Sequence, residues 1–216
     1  AISGVLAFSG QAVADEVTAN LTGLSPEQNG GGLFRFEDTA APNYFNTFDT
    51  DQFVSFCIDL DDTIPIGEET TWSIVSLSEV PDPTATNMGD TRAIQISQLL
   101  GNEIGTDLNG ARNRGDDTLK AIQLSLWEII YETSADPAQY SISDGDHQIG
   151  SDAGSTIVDL TNGMLGALDG YNGVTMDGLV GLTNPNRQDM VGQVPIPAAA
   201  WLFGSAMVGA VALGRR

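Results

Sequence analysis

The stretch A-I-Q-L-S-L-W-E-I-I-Y-E at 121–132 constrains the fold more than any other part of this chain. Its apolar side chains recur at helical spacing, at Ile122, Leu126, Ile129 and Ile130. This period predicts a helix with one buried face. Gln123 falls at the edge of the apolar arc, whereas the polar face on the other side consists of Ser125, Glu128 and Glu132. A carboxamide that faces a core is costly unless its hydrogen bonds are met, so Gln123 requires a partner.

Cys57 is a candidate for that partner. It is the only cysteine in the chain, which excludes an intramolecular disulfide. It lies in F-V-S-F-C-I-D-L at 53–60, where alternate positions share a face as they do in a strand. Two interpretations remain open at this point. In the first, Cys57 is a small buried hydrophobic residue and Gln123 is a core amide whose hydrogen bonds are satisfied. In the second, the two residues act together.

The two segments in this order resemble the thioester domains of bacterial surface proteins, over about 51–191. Such domains carry an aromatic-Cys-hydrophobic motif on a strand and a hydrophobic-Gln-x-x-hydrophobic-Trp motif on a helix. The resemblance implies that the Cys57 thiol and the Gln123 side chain condense, with loss of ammonia, into an internal thioester. Phe56, Ile122 and Trp127 are the supporting residues of the two motifs. The resemblance also implies that no cofactor is needed. It further implies that the protein reacts once with an amine and is not an enzyme.

The tail carries a second motif. V-P-I-P-A at 194–198 leads into an uncharged apolar run up to Gly214, which is just long enough to cross a bilayer. The tail resembles the PEP-CTERM sorting family in its Val-Pro-x-Pro-Ala variant. The matching positions are Val194, Pro195, Pro197, Arg215 and Arg216. The resemblance implies recognition by an exosortase, transient insertion into the inner membrane, and delivery to the cell surface or extracellular matrix of a Gram-negative bacterium. A plain membrane anchor or a buried helix is the alternative.

Residues 1–14 form a third segment, in which apolar and small residues end in A-V-A before Asp15 and Glu16. This pattern is typical of the latter half of a secretory signal peptide. The alternative is an N-terminal strand that pairs with a neighbouring molecule. The chain therefore divides into 1–14, a thioester-type domain at 15–192, and a sorting or membrane segment at 193–216.

The charge balance excludes one class of partner. Asp and Glu number 29 against 8 Lys and Arg, which gives a formal charge of −21. Nucleic-acid binding requires a basic face, so it is not expected here. Such a charge fits a solvated extracellular surface.

The sequence offers two other kinds of candidate site. The acidic cluster after the Cys57 strand offers weak calcium candidates at Asp59, Asp61 and Asp62, near Asp51, but it lacks the spacing and the closing Glu of an EF-hand. Solvated loop charge is the favoured interpretation, so no metal is expected. Pairing of Cys57 with His147, the only histidine, in a hydrolase is disfavoured because no glycine-bounded nucleophile turn surrounds the cysteine.

The predicted architecture is α+β. A β-sandwich or barrel-like part from about 15–80 and 170–192 packs against helices from about 90–168, and an apolar helix follows at the C-terminus. One helix is expected over Thr91–Leu100, with Gly101 ending it, and another over Thr156–Leu168.

Two functions follow as expectations. The first is covalent attachment, through the thioester, to an amine-bearing target protein or neighbouring subunit, in adhesion or matrix cross-linking. The second is a structural subunit of an extracellular fibre or biofilm matrix, whose terminal segments dock into neighbouring subunits and whose thioester is a brace.

Overall fold

A computed structural model describes residues 16–26, 32–39, 52–82, 86–144, 148 and 153–194. Its strands are β1 (Glu16–Ser25), β2 (Leu33–Asp38), β3 (Gln52–Cys57), β4 (Glu69–Ser76), β5 (Leu179–Asn184) and β6 (Arg187–Gln193). They close an antiparallel barrel in the order β1-β2-β3-β6-β5-β4. Neighbouring strands alternate in direction. The first residue of β1 and the last residue of β6 therefore lie at one end of the barrel, whereas the last residue of β3 lies at the other end.

The helices are inserted between β4 and β5. They are α1 (Gly89–Glu103), α2 (Asp116–Tyr131) and α3 (Ser155–Gly166), with short 3-10 helices at Leu77–Glu79, Leu108–Asn113 and Pro137–Gln139. The α+β class and the division into strands and helices are thereby confirmed, and the barrel-like part is a closed barrel.

Most of the two terminal segments, 1–14 and 193–216, lies outside the residues that the structure describes. Residues 1–14 and the predicted apolar helix that follows Pro195 lie outside the described residues. Among the helices that the structure describes, none combines the length and the apolar character needed to span a bilayer.

Both faces of β3 are buried, which explains its nearly continuous apolar sequence. Phe53 and Cys57 belong to the cluster inside the barrel, where Phe36 stacks on Phe53 with ring centroids 5.1 Å apart. Val54 and Phe56 belong to the larger cluster between the barrel and the helices. Successive side chains of a strand point to opposite faces, so β3 contributes to both cores.

α2 is almost completely buried from Ala121 to Ile130, so the polar face of the helix is not at the surface. Ser125 and Glu128 are fully buried, and Glu132 is 8% exposed. The Ser125 hydroxyl donates to the Ala121 carbonyl, and Glu128 Oε1 accepts from the Ser141 N–H at 2.7 Å. α3 and the segment after α2 cover this side, which the period of a single helix does not reveal.

Gly101 does not end its helix, in contrast to the sequence prediction. α1 continues to Glu103, and the chain turns at Gly105, whose φ is 109° and whose N–H donates to the Gly101 carbonyl at 3.1 Å. Gly101 instead lies where the backbone at Val174 and Thr175 crosses the helix, and an added Cβ would be 2.8 Å from Thr175 Cα. Close backbone packing is the reason for glycine at this position.

Gly101→Ala is expected to lower the free energy of unfolding by about 1–3 kcal/mol, because the added methyl group overlaps backbone that cannot move aside easily. Gly163→Ala in α3 is the matched control, since a Cβ there meets nothing within 4 Å. This control is expected to raise stability by about 0.5–1 kcal/mol through helix propensity. Urea unfolding of both variants measures the difference, and equal effects would contradict the packing assignment.

Candidate functional site

The structure brings Cys57 and Gln123 together by two hydrogen bonds. Cys57 is the last residue of β3, Gln123 lies in α2, and both are fully buried. The Cys57 N–H donates to Gln123 Oε1 at 3.0 Å, and Gln123 Nε2 donates to the Cys57 carbonyl at 2.6 Å. The carboxamide that required a partner is therefore satisfied by the main chain of the only cysteine.

Gln123 replaces a missing strand at the end of β3. The ladder between β2 and β3 reaches only Leu33 opposite Phe56. The N–H of Ile58 donates to Asp189 on β6, so the N–H and C=O of Cys57 point the other way, toward the β2 side. The Gln123 carboxamide offers one acceptor and one donor there, as a paired strand residue would.

The Cys57 thiol is held by the turn that follows the strand. Its sulfur donates to the Asp59 carbonyl at 2.6 Å and accepts from the Asp59 N–H at 3.3 Å. Burial raises the pKa of the thiol to about 12, although hydrogen bonds from the Asp59 backbone and the Trp127 side chain lower it, and the Asp59 and Asp189 carboxylates raise it further. The thiol is therefore protonated at neutral pH.

Three α2 side chains spaced four residues apart contact the segment that contains Cys57. Gln123 binds its main chain, Trp127 lies at its sulfur, and the Tyr131 hydroxyl accepts from the Leu60 N–H at 2.7 Å. Residues at this spacing share one helix face. Burial raises the pKa of Tyr131 well above its usual value, so the phenol is neutral.

The other predicted motif residues do not reach the thiol in this way. Phe56 and Ile122 are fully buried members of the apolar cluster between barrel and helices. Of the sorting motif, Val194 extends the end of β6, where its N–H donates to the Gly178 carbonyl at 2.9 Å. Its other residues, Pro195, Pro197, Arg215 and Arg216, lie outside the described residues.

The weak calcium candidates that the structure describes are Asp59, Asp61 and Asp62. Asp59 Oδ1 accepts a hydrogen bond from the Asp61 N–H at 2.8 Å, so the Asp59 carboxylate stabilises the turn in which it lies. The Asp61 side chain is exposed, and the Asp62 side chain is partly exposed. Within the described ranges, no group of three His, Cys, Asp or Glu residues is arranged to hold a metal ion. Asp51 and His147 lie outside those ranges.

Sequence reasoning gave no role to two β6 residues that border the site. Gln188 Nε2 donates to the Asp59 carbonyl at 3.0 Å. Asp189 Oδ1 accepts from the Asn184 N–H at 2.9 Å, and burial raises the pKa of this carboxyl to about 6. Both residues lie near the end of the stretch at 51–191 that resembles thioester domains, but nothing in their spacing indicates a contact with Asp59 or Asn184.

Comparison of the chain with models of known protein families, with curated proteins and with solved structures finds no match.

Asp189 is expected to make stability depend on pH. Its folded-state pKa of about 6 exceeds the ordinary 3.8, so the folded protein holds this proton more tightly than the unfolded chain. The stability that it contributes is present below about pH 4 and is lost as pH rises through about 6. Asp189→Asn should therefore be more stable than the wild type above pH 6 by about 1 kcal/mol, a value reduced for partial exposure.

Urea unfolding across this pH range measures the effect of Asp189→Asn. Asp159→Asn, at an exposed position of α3, is the control for the loss of one carboxylate charge. A stability difference between Asp189→Asn and wild type that stays constant with pH would contradict the assignment.

Proposed function

We propose that Cys57 and Gln123 condense into an internal thioester, and that the protein uses it for a single covalent attachment to an amine-bearing protein. The observation that carries the proposal is the reciprocal hydrogen bonding of the Gln123 carboxamide to Cys57. It keeps the acyl group beside the residue whose sulfur would attack it. Proximity and fixed orientation are the main requirements for such a reaction.

The condensation balances within the two side chains. Cys57 Sγ forms a bond to Gln123 Cδ, the bond from Cδ to Nε2 breaks, and the nitrogen leaves as ammonia with the thiol proton. Negative charge develops on Oε1 in the tetrahedral intermediate. The Cys57 N–H already donates to Oε1 at 3.0 Å, so it is placed to stabilise that charge.

The second step transfers the acyl group to an amine. The amine nitrogen bonds to Cδ and loses a proton, the carbon–sulfur bond breaks, and the sulfur takes up a proton, so Cys57 is released as a thiol. A thiol is a better leaving group than an amine, so the amide product persists and the protein does not turn over. Full burial of Cys57 and Gln123 limits access of water to the thioester before a partner arrives.

The proposed partner is an amine-bearing target protein or a neighbouring subunit, at the cell surface or in the extracellular matrix of a Gram-negative bacterium. The alternative is a fibre subunit in which the thioester is a brace. That alternative depends on the segments 1–14 and 193–216, most of which lies outside the described residues. The contacts of Gln123 with Cys57 support a thioester in both alternatives.

Intact-mass measurement tests the thioester. Protein prepared without amine buffers is expected to lack the mass of one ammonia, and methylamine should add to it. Cys57→Ala and Gln123→Glu should both abolish the loss, because each removes one reacting group. Gln95→Glu is the matched control, since Gln95 is also buried and hydrogen-bonded but binds Ala135 and Tyr140 instead of the main chain of Cys57. A full-mass wild type whose Cys57 reacts with alkylating reagents would contradict the proposal.

The sorting tail is proposed on the motif resemblance, and deletion tests it. In a Gram-negative host with an exosortase, the full chain should be processed at the envelope. A variant that lacks 195–216 should be released into the medium, since it retains Val194 and its bond to Gly178 but lacks the apolar run. Cys57→Ala should be processed like the wild type. The same fate for deleted and full-length protein, followed by immunoblotting of cell fractions, would argue against sorting.

A further inference from the structure

The β3–β4 loop, residues 58–68, joins two strands on opposite sides of the barrel. In the order of the closed barrel, two strands separate β3 from β4 in either direction, so the loop crosses the end of the barrel at which Cys57 lies. Ile64 packs against the cluster inside the barrel, and the Gly67 N–H donates to the Leu21 carbonyl of β1 at 2.9 Å. The β3–β4 loop therefore closes this end of the barrel and forms part of its outer surface.

Two apolar side chains of the β3–β4 loop are exposed to solvent. Leu60 is 38% exposed and Ile66 is 64% exposed, and they are two of the five exposed large hydrophobic residues in the described part of the chain. Ile64 already covers the core of the barrel from this end, so neither side chain serves that purpose. Leu60 also borders the Cys57 site, because its N–H donates to the Tyr131 hydroxyl. Exposed apolar groups that are rimmed by polar residues mark interaction sites in many soluble proteins.

The β3–β4 loop is also acidic. Asp59, Asp61, Asp62 and Glu68 lie on it, and it contains no lysine or arginine. Glu68 binds Arg187 at 2.6 Å, whereas none of the three aspartates is in an ion pair within the described ranges. Negative charge around exposed apolar groups favours a partner whose surface is basic and apolar.

A second copy of this chain does not offer such a surface. Its formal charge is −21, so two copies repel each other. Lys120 is the only lysine in the 216 residues, and the other basic residues are arginines. The guanidinium group of arginine stays protonated, so it does not act as an amine nucleophile. The partner that the β3–β4 loop fits is therefore a different protein, in which a lysine lies beside further basic and apolar side chains.

We propose that the β3–β4 loop is the docking surface for the protein to which this chain becomes attached, and that this protein is basic and bears lysine. The inference rests on the proposed function, because it specifies the partner of the thioester. Asp59 contacts the Cys57 sulfur through its main chain, so a partner bound on the loop lies next to the thioester. Docking raises the effective concentration of the partner's amine at that point, and the reaction with this partner is therefore faster than the reaction with a free amine.

Two peptides and a small amine test the docking. One peptide carries a single lysine flanked by leucine and arginine residues, and the matched peptide has glutamate in place of each arginine. Intact-mass measurement follows acyl transfer to each peptide and to methylamine, which is too small to need a docking surface. The arginine peptide is expected to react about tenfold faster than the glutamate peptide at low salt, and high salt should reduce this difference. Equal rates for the two peptides would overturn the proposal.

Ile66→Ser and Asp61→Asn each remove one exposed group of the β3–β4 loop. The rate with the arginine peptide, divided by the methylamine rate of the same variant, should fall by about two- to tenfold in each. Ile94→Ser and Asp159→Asn are the matched controls, since Ile94 is 55% exposed on α1 and Asp159 is exposed on α3. Both controls should keep the ratio of the wild type. A ratio that is unchanged in both loop variants, or that falls as far in the controls, would contradict the docking surface.

The outcomes separate this inference from the proposed function. A wild type that has not lost ammonia and does not react with methylamine overturns both. A thioester that reacts with methylamine but does not distinguish the peptides, or the loop variants from the controls, overturns only the docking surface. Mass spectrometry of the concentrated full chain tests the exclusion of a second copy. A bond between Gln123 and Lys120 of another copy, formed as fast as the bond to the arginine peptide and absent in Lys120→Arg, would overturn that exclusion.

Discussion

The exchange of hydrogen bonds between Gln123 and the main chain of Cys57 is the constraint on which the arrangement of barrel and helices depends. β3 extends beyond β2, so the Cys57 N–H and C=O would be buried without a strand partner. An unpaired buried backbone group costs about 1–3 kcal/mol, and α2 avoids this cost by placing a carboxamide at that point. The bond thereby fixes the distance and the register of α2 relative to the end of the barrel.

The two hydrophobic clusters meet at the same place. Trp127, one helical turn after Gln123, belongs to the cluster inside the barrel, whereas Ile122 and Leu126 belong to the cluster between barrel and helices. α2 therefore contributes to both cores, as β3 does from the other side. The proposed bond between Cys57 and Gln123 therefore lies between two elements that are both anchored in two cores, which favours a fixed geometry.

The sequence predicted those features that depend on local period. The helix at α2, the burial of Gln123, the strand that carries Cys57, and the division into strands and helices follow from spacing alone. Features that depend on a second element were missed or wrong. Glu128 is buried because other segments cover it, Gly101 is a packing residue because distant backbone crosses there, and Gln188 reaches Asp59 because β6 pairs with β3. None of these contacts produces a periodic pattern of residues from which it could be predicted.

The antiparallel order of the barrel has a consequence for how the molecule is presented. The chain enters the barrel at Glu16 and leaves it at Gln193, both at one end, whereas β3 delivers Cys57 to the other end. If the proposed attachment at Cys57 takes place in a protein tethered through the segment that follows Gln193, the attachment point and the start of the tether are at opposite ends of the barrel. A partner bound at the Cys57 end is then separated from the start of the tether by the length of the barrel.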